Sequence, residues 1–304
     1  MEILFSGICH SDVHVGQNDF GNTQFPLVPG HEILGRVREI GDKVTKFKVG
    51  DLVGVGCFVD SCRNCKECEN SNENYCMNTL TNTYNGPKLH GGVAGNQEGK
   101  TWGGYSASHT VHEHYCHQIP EGLPIEKVAP ILCAGITMYE PLRLWGATKG
   151  EKMVIGIAGI GGLGTMGIKI AKALGHEVVA ISQSMKKEKL AKEKGADHYV
   201  ASTDPESVKA CPAKCHIILN TVSVDHDINT YLPILRNGGT IIQLGLCNKA
   251  LNVSPLVLMS QNKRIAGCLI GGVKSTEEVL KLCAEHQIWP DCEMVTADKI
   301  DWVW

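Results

Sequence analysis

The sequence predicts an α/β chain in which a doubly wound parallel sheet follows a smaller β-rich lobe. Three observations carry this. An apolar run at 153–158 leads into Gly159-Ile160-Gly161-Gly162-Leu163-Gly164 and then into an amphipathic run at 166–174. That is strand, tight turn and helix in order. From 153 to 286, strand-like and helix-like stretches alternate, as a parallel sheet with crossover helices requires. Before residue 120 the apolar runs are short and punctuated by Gly and Pro, the pattern of a barrel or sandwich.

In the first lobe, residues 2–5 read as a strand leading into Gly7-Ile8-Cys9-His10-Ser11-Asp12. Pro29-Gly30-His31-Glu32 opens a strand-like run to Ile40, and a turn at 41–50 precedes an apolar run at 51–59. Cys9 and His31 are candidate zinc ligands, although each alone is also an ordinary core thiol or turn histidine. The stronger metal signal follows: Cys62, Cys65 and Cys68 at three-residue spacing, then Cys76. Four thiolates suit tetrahedral Zn²⁺, and four protein ligands close the site and make it structural. The residues between them are mostly polar, so bound metal supplies the folding energy the loop lacks. Cys57 lies outside the spacing and reads as strand core. Residues 77–104 read as a polar, glycine-rich loop. Residues 105–119 read as a strand with His109, His112, His114 and His117 facing the surface.

Residues 120–124 form a turn, and 125–146 read as an apolar helix containing Cys133. Strands follow at 153–158, 177–182, 198–201, 217–220, 240–244 and 265–270. Helices are expected at 166–174, 186–194 (ending at Gly195), near Glu206, at 228–236 and at 276–286. This places a Rossmann-type nucleotide-binding domain at 128–287 and the β-rich lobe at 1–127, with 288–304 returning to it. Gly159, Gly161, Gly162, Leu163 and Gly164 would receive a pyrophosphate at the helix N-terminus. About twenty residues on, NAD-binding domains usually present a carboxylate to the ribose. Here stand Ser182, Gln183 and Ser184, then Lys186 and Lys187. Hydroxyl and ammonium groups suit a 2′-phosphate, so NADP(H) is the expected cofactor. Lys186 also fits a solvated helix face.

The 304 residues are 43% hydrophobic and 20% charged, with net charge -3, a composition that fits a globular protein of two domains. The acidic balance argues against nucleic acid as a partner, and no apolar run reaches membrane-spanning length. The fourteen cysteines, with no signal-peptide pattern at the start, point to a reducing, cytoplasmic setting.

The motifs together resemble the zinc-dependent medium-chain alcohol dehydrogenase superfamily, in its cinnamyl alcohol dehydrogenase-like branch. The matches are residues 7–12, Gly30-His31-Glu32, the four-cysteine loop, Thr83-Tyr84-Asn85-Gly86, Gly103-Gly104-Tyr105-Ser106, residues 132–137 and the glycine turn, all in the family's order. The resemblance implies a GroES-like catalytic lobe and a nucleotide cleft between the lobes. It implies a catalytic zinc on Cys9, His31 and Cys133, with Glu32 behind the metal. Ser11, then His14 and Asp12, would relay a proton. Cys62, Cys65, Cys68 and Cys76 would hold a structural zinc. The implied reaction is hydride transfer between NADP(H) and a primary alcohol/aldehyde pair, in a homodimer joined near 265–270. Compared with that branch, the chain begins inside the strand before Cys9 and stops at 298–304, and Asn82 and Thr83 precede Tyr84 where plant lignin enzymes often carry an aromatic. A second reading is therefore a shortened variant that binds NADP with little or no catalysis.

Overall fold

The computed structural model describes residues 1–90, 93, 95, 99–247 and 249–303. The part of the expected 77–104 loop at 91, 92, 94 and 96–98 lies outside the described residues, as does Trp304 at the end of the 288–304 segment. Two compact units are present: Met1–Ile136 with Ile270–Trp304, and Thr137–Leu269.

The first unit opens with β1 (Glu2–Ser6), α1 (His10–Gly16), β2 (Ile33–Arg36), β3 (Leu52–Val55) and β4 (Phe58–Ser61). It continues with α2 (Lys66–Glu69), β5 (Leu80–Asn82) and β6 (His117–Gln118). β1, β2, β3 and β6 form an antiparallel sheet in that order, and β4 pairs with β5. Ile33, Val37, Phe47, Val53, Val55 and Val59 build its core. The apolar run at 51–59 is thus two strands, broken at Gly56-Cys57. Cys57 is only partly buried there, and its thiol points to the Leu132 carbonyl at 3.8 Å.

The expected strand at 105–119 does not form. A 3-10 turn at Glu113–Tyr115 interrupts it, leaving only β6. The turn changes the facing of everything after it, and His109 and His117 are buried rather than surface-facing. Alternation of side-chain type cannot register such a change of parity.

The second unit begins within α3 (Ala134–Leu144), which replaces only the end of the helix expected at 125–146; short 3-10 turns occupy Ile125–Lys127 and Ala129–Leu132. Then come β7 (Val154–Ala158), α4 (Gly162–Ala173), β8 (Glu177–Ser182), α5 (Glu188–Glu193) and β9 (His198–Ala201). After α6 (Pro205–Lys209) follow β10 (Cys215–Asn220), β11 (Leu235–Gln243), α7 (Pro255–Ser260) and β12 (Arg264–Gly267). All five strand pairings are parallel, in the order β12-β11-β10-β7-β8-β9. The order reverses at β7, the Rossmann arrangement that leaves a crevice at the strand C-termini. β7 is apolar on both sides, as a covered parallel strand must be, and only Val154 is partly exposed.

The helix expected at 228–236 is also absent. A 3-10 turn covers Ile228–Tyr231, and Leu235 already begins β11, whose register shifts where Gly238 takes φ +72°. Tyr231, Leu232, Ile234 and Leu235 are all buried, and a short apolar run of this kind reads equally as helix or strand. After β12 the chain re-enters the first unit, where α8 (Val273–Glu285) and α9 (Ile300–Val303) complete the elements.

Candidate active site and metal centres

Cys9 caps the N-terminus of α1, and the arrangement begins with that helix. The carboxylate of Asp12, three residues into the cap, accepts the Cys9 backbone N–H at 3.0 Å, which fixes the thiol at the helix entrance. The other Asp12 oxygen accepts the Gly30 N–H at 3.1 Å and faces His31 Nδ1 at 2.9 Å. The Tyr105 hydroxyl donates to Asp12 at 3.2 Å. One fully buried carboxylate therefore ties α1 to the chain entering β2. A carboxylate at Nδ1 places the imidazole proton there and leaves the Nε2 lone pair free. Nε2 lies 3.3 Å from Cys133 Sγ, which sits between the Ala129–Leu132 turn and α3.

Ligand atoms of Cys9, His31, Glu32 and Cys133 all lie within 4.8 Å of one another. Sequence spacing brings none of these pairs together except His31 and Glu32. Without a counter-cation the cluster keeps its protons. The hydrogen bond with Cys133, then burial, pushes Cys9 up to about 12; a hydrogen bond with Cys57 heads the causes that push Cys133 up as well. Burial raises Glu32 to about 8. Two thiols and an imidazole nitrogen in a buried pocket fit Zn²⁺: a divalent cation offsets the cost of ionising the thiols, and three such ligands leave a fourth position for another oxygen. Glu32 closes the back of this pocket. A Cβ at Gly7 would stand 1.9 Å from Glu32 Oε2, so only glycine fits there.

Asp12, Gly7 and Tyr105 are the parts sequence reading left without their structural roles. All three fall inside quoted motifs, but what they do is set by contacts across the fold. Replacing Asp12 with Asn removes the charge that holds the His31 tautomer. Zinc affinity at this centre is expected to fall about 10–100-fold, measured by competition with a graded chelator; unchanged affinity would show that His31 needs no such partner.

Ser11 is half-buried in the first turn of α1, beside Cys9. His14 lies in the last turn and is not part of the donor cluster. Its Nδ1 is 2.6 Å from Asp19 Oδ2, and its ring meets those of His10 and Phe20.

Cys62, Cys65, Cys68 and Cys76 form the second group, with all four sulfurs within 4.8 Å. The four are thiols rather than disulfide partners. Backbone N–H groups point at them: Cys62 N–H to Cys76 Sγ and Met77 N–H to Cys65 Sγ, each at 3.4 Å. Hydrogen bonds led by the Asn64 backbone lower the Cys62 thiol to about 6. Donors aimed at sulfur and four convergent thiols fit a closed, tetrahedral zinc.

In the second unit, Gly159 turns at φ +91° directly after β7, a left-handed conformation that favours glycine. A Cβ at Gly164 would meet the Gly159 carbonyl at 1.8 Å, so the first turn of α4 sits directly on the end of the strand. A Cβ at Gly161 or Gly162 would meet nothing within 4 Å, and both residues are exposed, which leaves an open cradle at the helix N-terminus. Leu163 is half-buried beside them. This geometry fits a dinucleotide pyrophosphate. Lys187 Nζ donates to the Ile160 carbonyl at 2.7 Å, which brings its ammonium to the glycine turn. The backbone at Gln183 and Ser184 is pinned by Thr203 Oγ1 at 2.5 Å and Tyr199 OH at 2.6 Å, while the side chains of Gln183, Ser184 and Lys186 stay exposed.

With this geometry in hand, two family models match: "Alcohol dehydrogenase GroES-like domain" over residues 1–121 and "Zinc-binding dehydrogenase" over 162–285. The NADP-dependent alcohol dehydrogenase C 1 of Mycolicibacterium smegmatis is 44% identical over 99% of this chain and 84% of its own length. A cinnamyl alcohol dehydrogenase structure from Sorghum bicolor superposes with TM-score 0.91 at 39% identity, over 99% of this chain and 84% of that one. A cinnamyl alcohol dehydrogenase from Helicobacter pylori, complexed with NADP(H), gives TM-score 0.87 at 36% identity over the same shares. The chain therefore belongs to the zinc-dependent medium-chain alcohol dehydrogenase superfamily and, within it, to the cinnamyl alcohol dehydrogenase-like branch.

Proposed function

We propose that this chain is an NADP(H)-dependent zinc alcohol dehydrogenase that interconverts primary alcohols and aldehydes, cinnamyl-type aldehydes among them. The observation that carries the reading is the buried donor set of Cys9, His31 and Cys133, three ligands of the type and number that leave a metal position open. When bound there, zinc polarises a carbonyl or acidifies an alcohol, and NADP(H) gives or takes the hydride.

The protein's own residues do the rest. Asp12 holds His31 so that Nε2 faces the reacting oxygen. Ser11, one residue past His10 in α1, takes the alcohol proton on its hydroxyl. His14 passes it to solvent through the Nε2 that Asp19 leaves free. Glu32 keeps negative charge behind the ligands. Gly161 and Gly162 admit the pyrophosphate, with Gly159, Leu163 and Gly164 shaping the turn, and Ser182, Gln183, Ser184 and Lys187 receive the 2′-phosphate.

The domains are read as a catalytic part over 1–127, with 288–304 returning to it, and a nucleotide part over 128–287. No helix among the described residues is long and apolar enough to cross a membrane. The substrate is a small alcohol or aldehyde. A cytoplasmic setting agrees with the thiol-rich composition. β12 ends the parallel sheet and offers an unpaired edge through which a homodimer would form.

Zinc per chain in the purified protein tests the reading. About two ions are expected, one for each cluster, together with reduction of cinnamaldehyde or a simple aldehyde by NADPH. One ion per chain without aldehyde reduction would leave a nucleotide-binding variant as the better description.

A further inference from the structure

Helix α8 begins without a cap of its own. Its N-cap is Gly272, which has no side chain to accept an N–H, and the first turn carries no acidic residue. The first N–H groups of a helix need acceptors, and carboxylates serve them well. The acceptor comes from 200 residues away. Glu73 Oε2 takes the Val273 N–H at 2.9 Å in a buried contact, and its second oxygen is held by His114 Nε2 at 2.8 Å. Glu73 belongs to the four-cysteine loop, in the 3-10 turn that ends at Cys76. The same loop meets α8 a second time, since a Cβ at Gly272 would stand 1.9 Å from the Ser71 carbonyl. The backbone of the helix start is thus pressed onto the loop.

At its other contacts α8 packs on the Ala129–Leu132 turn that delivers Cys133. A Cβ at Gly135 would lie 3.9 Å from Val279 Cγ2, and Val279 is fully buried. The remaining tie, Lys46 to Glu277 at 2.7 Å, is partly exposed and contributes little.

We infer that the four-cysteine loop is a clasp on α8, and that Glu73 is the positioning residue through which the order of that loop reaches Cys133. The loop then does more than fold itself. It sets the helix against which the turn before Cys133 is packed. This goes beyond the proposed function and rests on that reading only where Cys133 is taken as a ligand.

The test is hydrogen exchange by mass spectrometry on the full chain, with metal content and steady-state kinetics measured in parallel for Glu73→Ala and Glu73→Gln. Glu73→Ala is expected to keep the metal content of the wild type. Exchange should quicken about fivefold both at 273–277 and at 129–136, and kcat should fall with KM unchanged. Glu73→Gln, whose amide oxygen still accepts the Val273 N–H, should recover most of each. Faster exchange confined to 273–277, or no change anywhere, overturns the clasp. Should Glu73→Ala not fold, Gly272→Ala separates helix and loop from the other side and must reproduce the exchange at 129–136 or overturn the proposal. A wild type holding one metal and showing no turnover would instead remove the active-site reading, and the exchange measurements would still decide the clasp.

Discussion

Cys133→Ser abolishes aldehyde reduction and alcohol oxidation, and Cys9→Ser does the same. A serine hydroxyl ionises far above a thiol, is a harder donor and reaches less far, so the buried set would retain one thiol and His31. The lost Lewis-acid stabilisation is worth about 4 kcal/mol, which is roughly a 10³-fold fall in kcat/KM. Metal content should drop by one ion per chain, because the four-cysteine loop draws on none of these residues. Secondary structure and the thermal midpoint should change little, since β2, β3 and the apolar core between them do not depend on the donor atoms. A variant with near-normal turnover would sink the catalytic assignment. One that lost both metals would show that the two centres fold as one.

The glycine turn and the four-cysteine loop were legible in the sequence because both are local. Spacing alone puts Gly159, Gly161 and Gly164 around one strand end, and Cys62, Cys65 and Cys68 on one short loop. The donor type of Cys9, His31 and Cys133 was legible too, through the motifs that carry them, but their meeting within 4.8 Å is a product of three separate elements. Asp12 shows where spacing runs out. It looks like part of a proton path next to Ser11, and it lies buried beneath His31 with both oxygens occupied. Glu73 is further from view, since its partner N–H is 200 residues away. The missed elements have a common cause. At 105–119 and 228–236 apolar and polar residues keep a plausible period while the backbone turns, and the period records which side chains are buried, not which turn buries them.

Ser182→Asp together with Ser184→Asp reverses the cofactor preference. Ser182 ends β8 at the crevice side of the sheet, and residues 183–184 are fixed by hydrogen bonds from Thr203 and Tyr199 that use main-chain oxygens only. A substitution there changes the side-chain chemistry without moving the loop. Carboxylates would repel a 2′-phosphate and would accept hydrogen bonds from the free ribose hydroxyls of NADH. At a partly exposed site such repulsion is screened, so the expected rise in KM for NADPH is about 10²-fold, some 2.7 kcal/mol, with NADH improved or unchanged. Lys187→Ala should shift the two cofactors in the same sense but by less. Its ammonium is one partner of the phosphate among several, and losing its bond to the Ile160 carbonyl loosens the glycine turn for both cofactors. If the double Asp variant weakened NADPH and NADH equally, the phosphate pocket would have to lie elsewhere on the crevice, and Ser182 and Ser184 would be only the end of a strand.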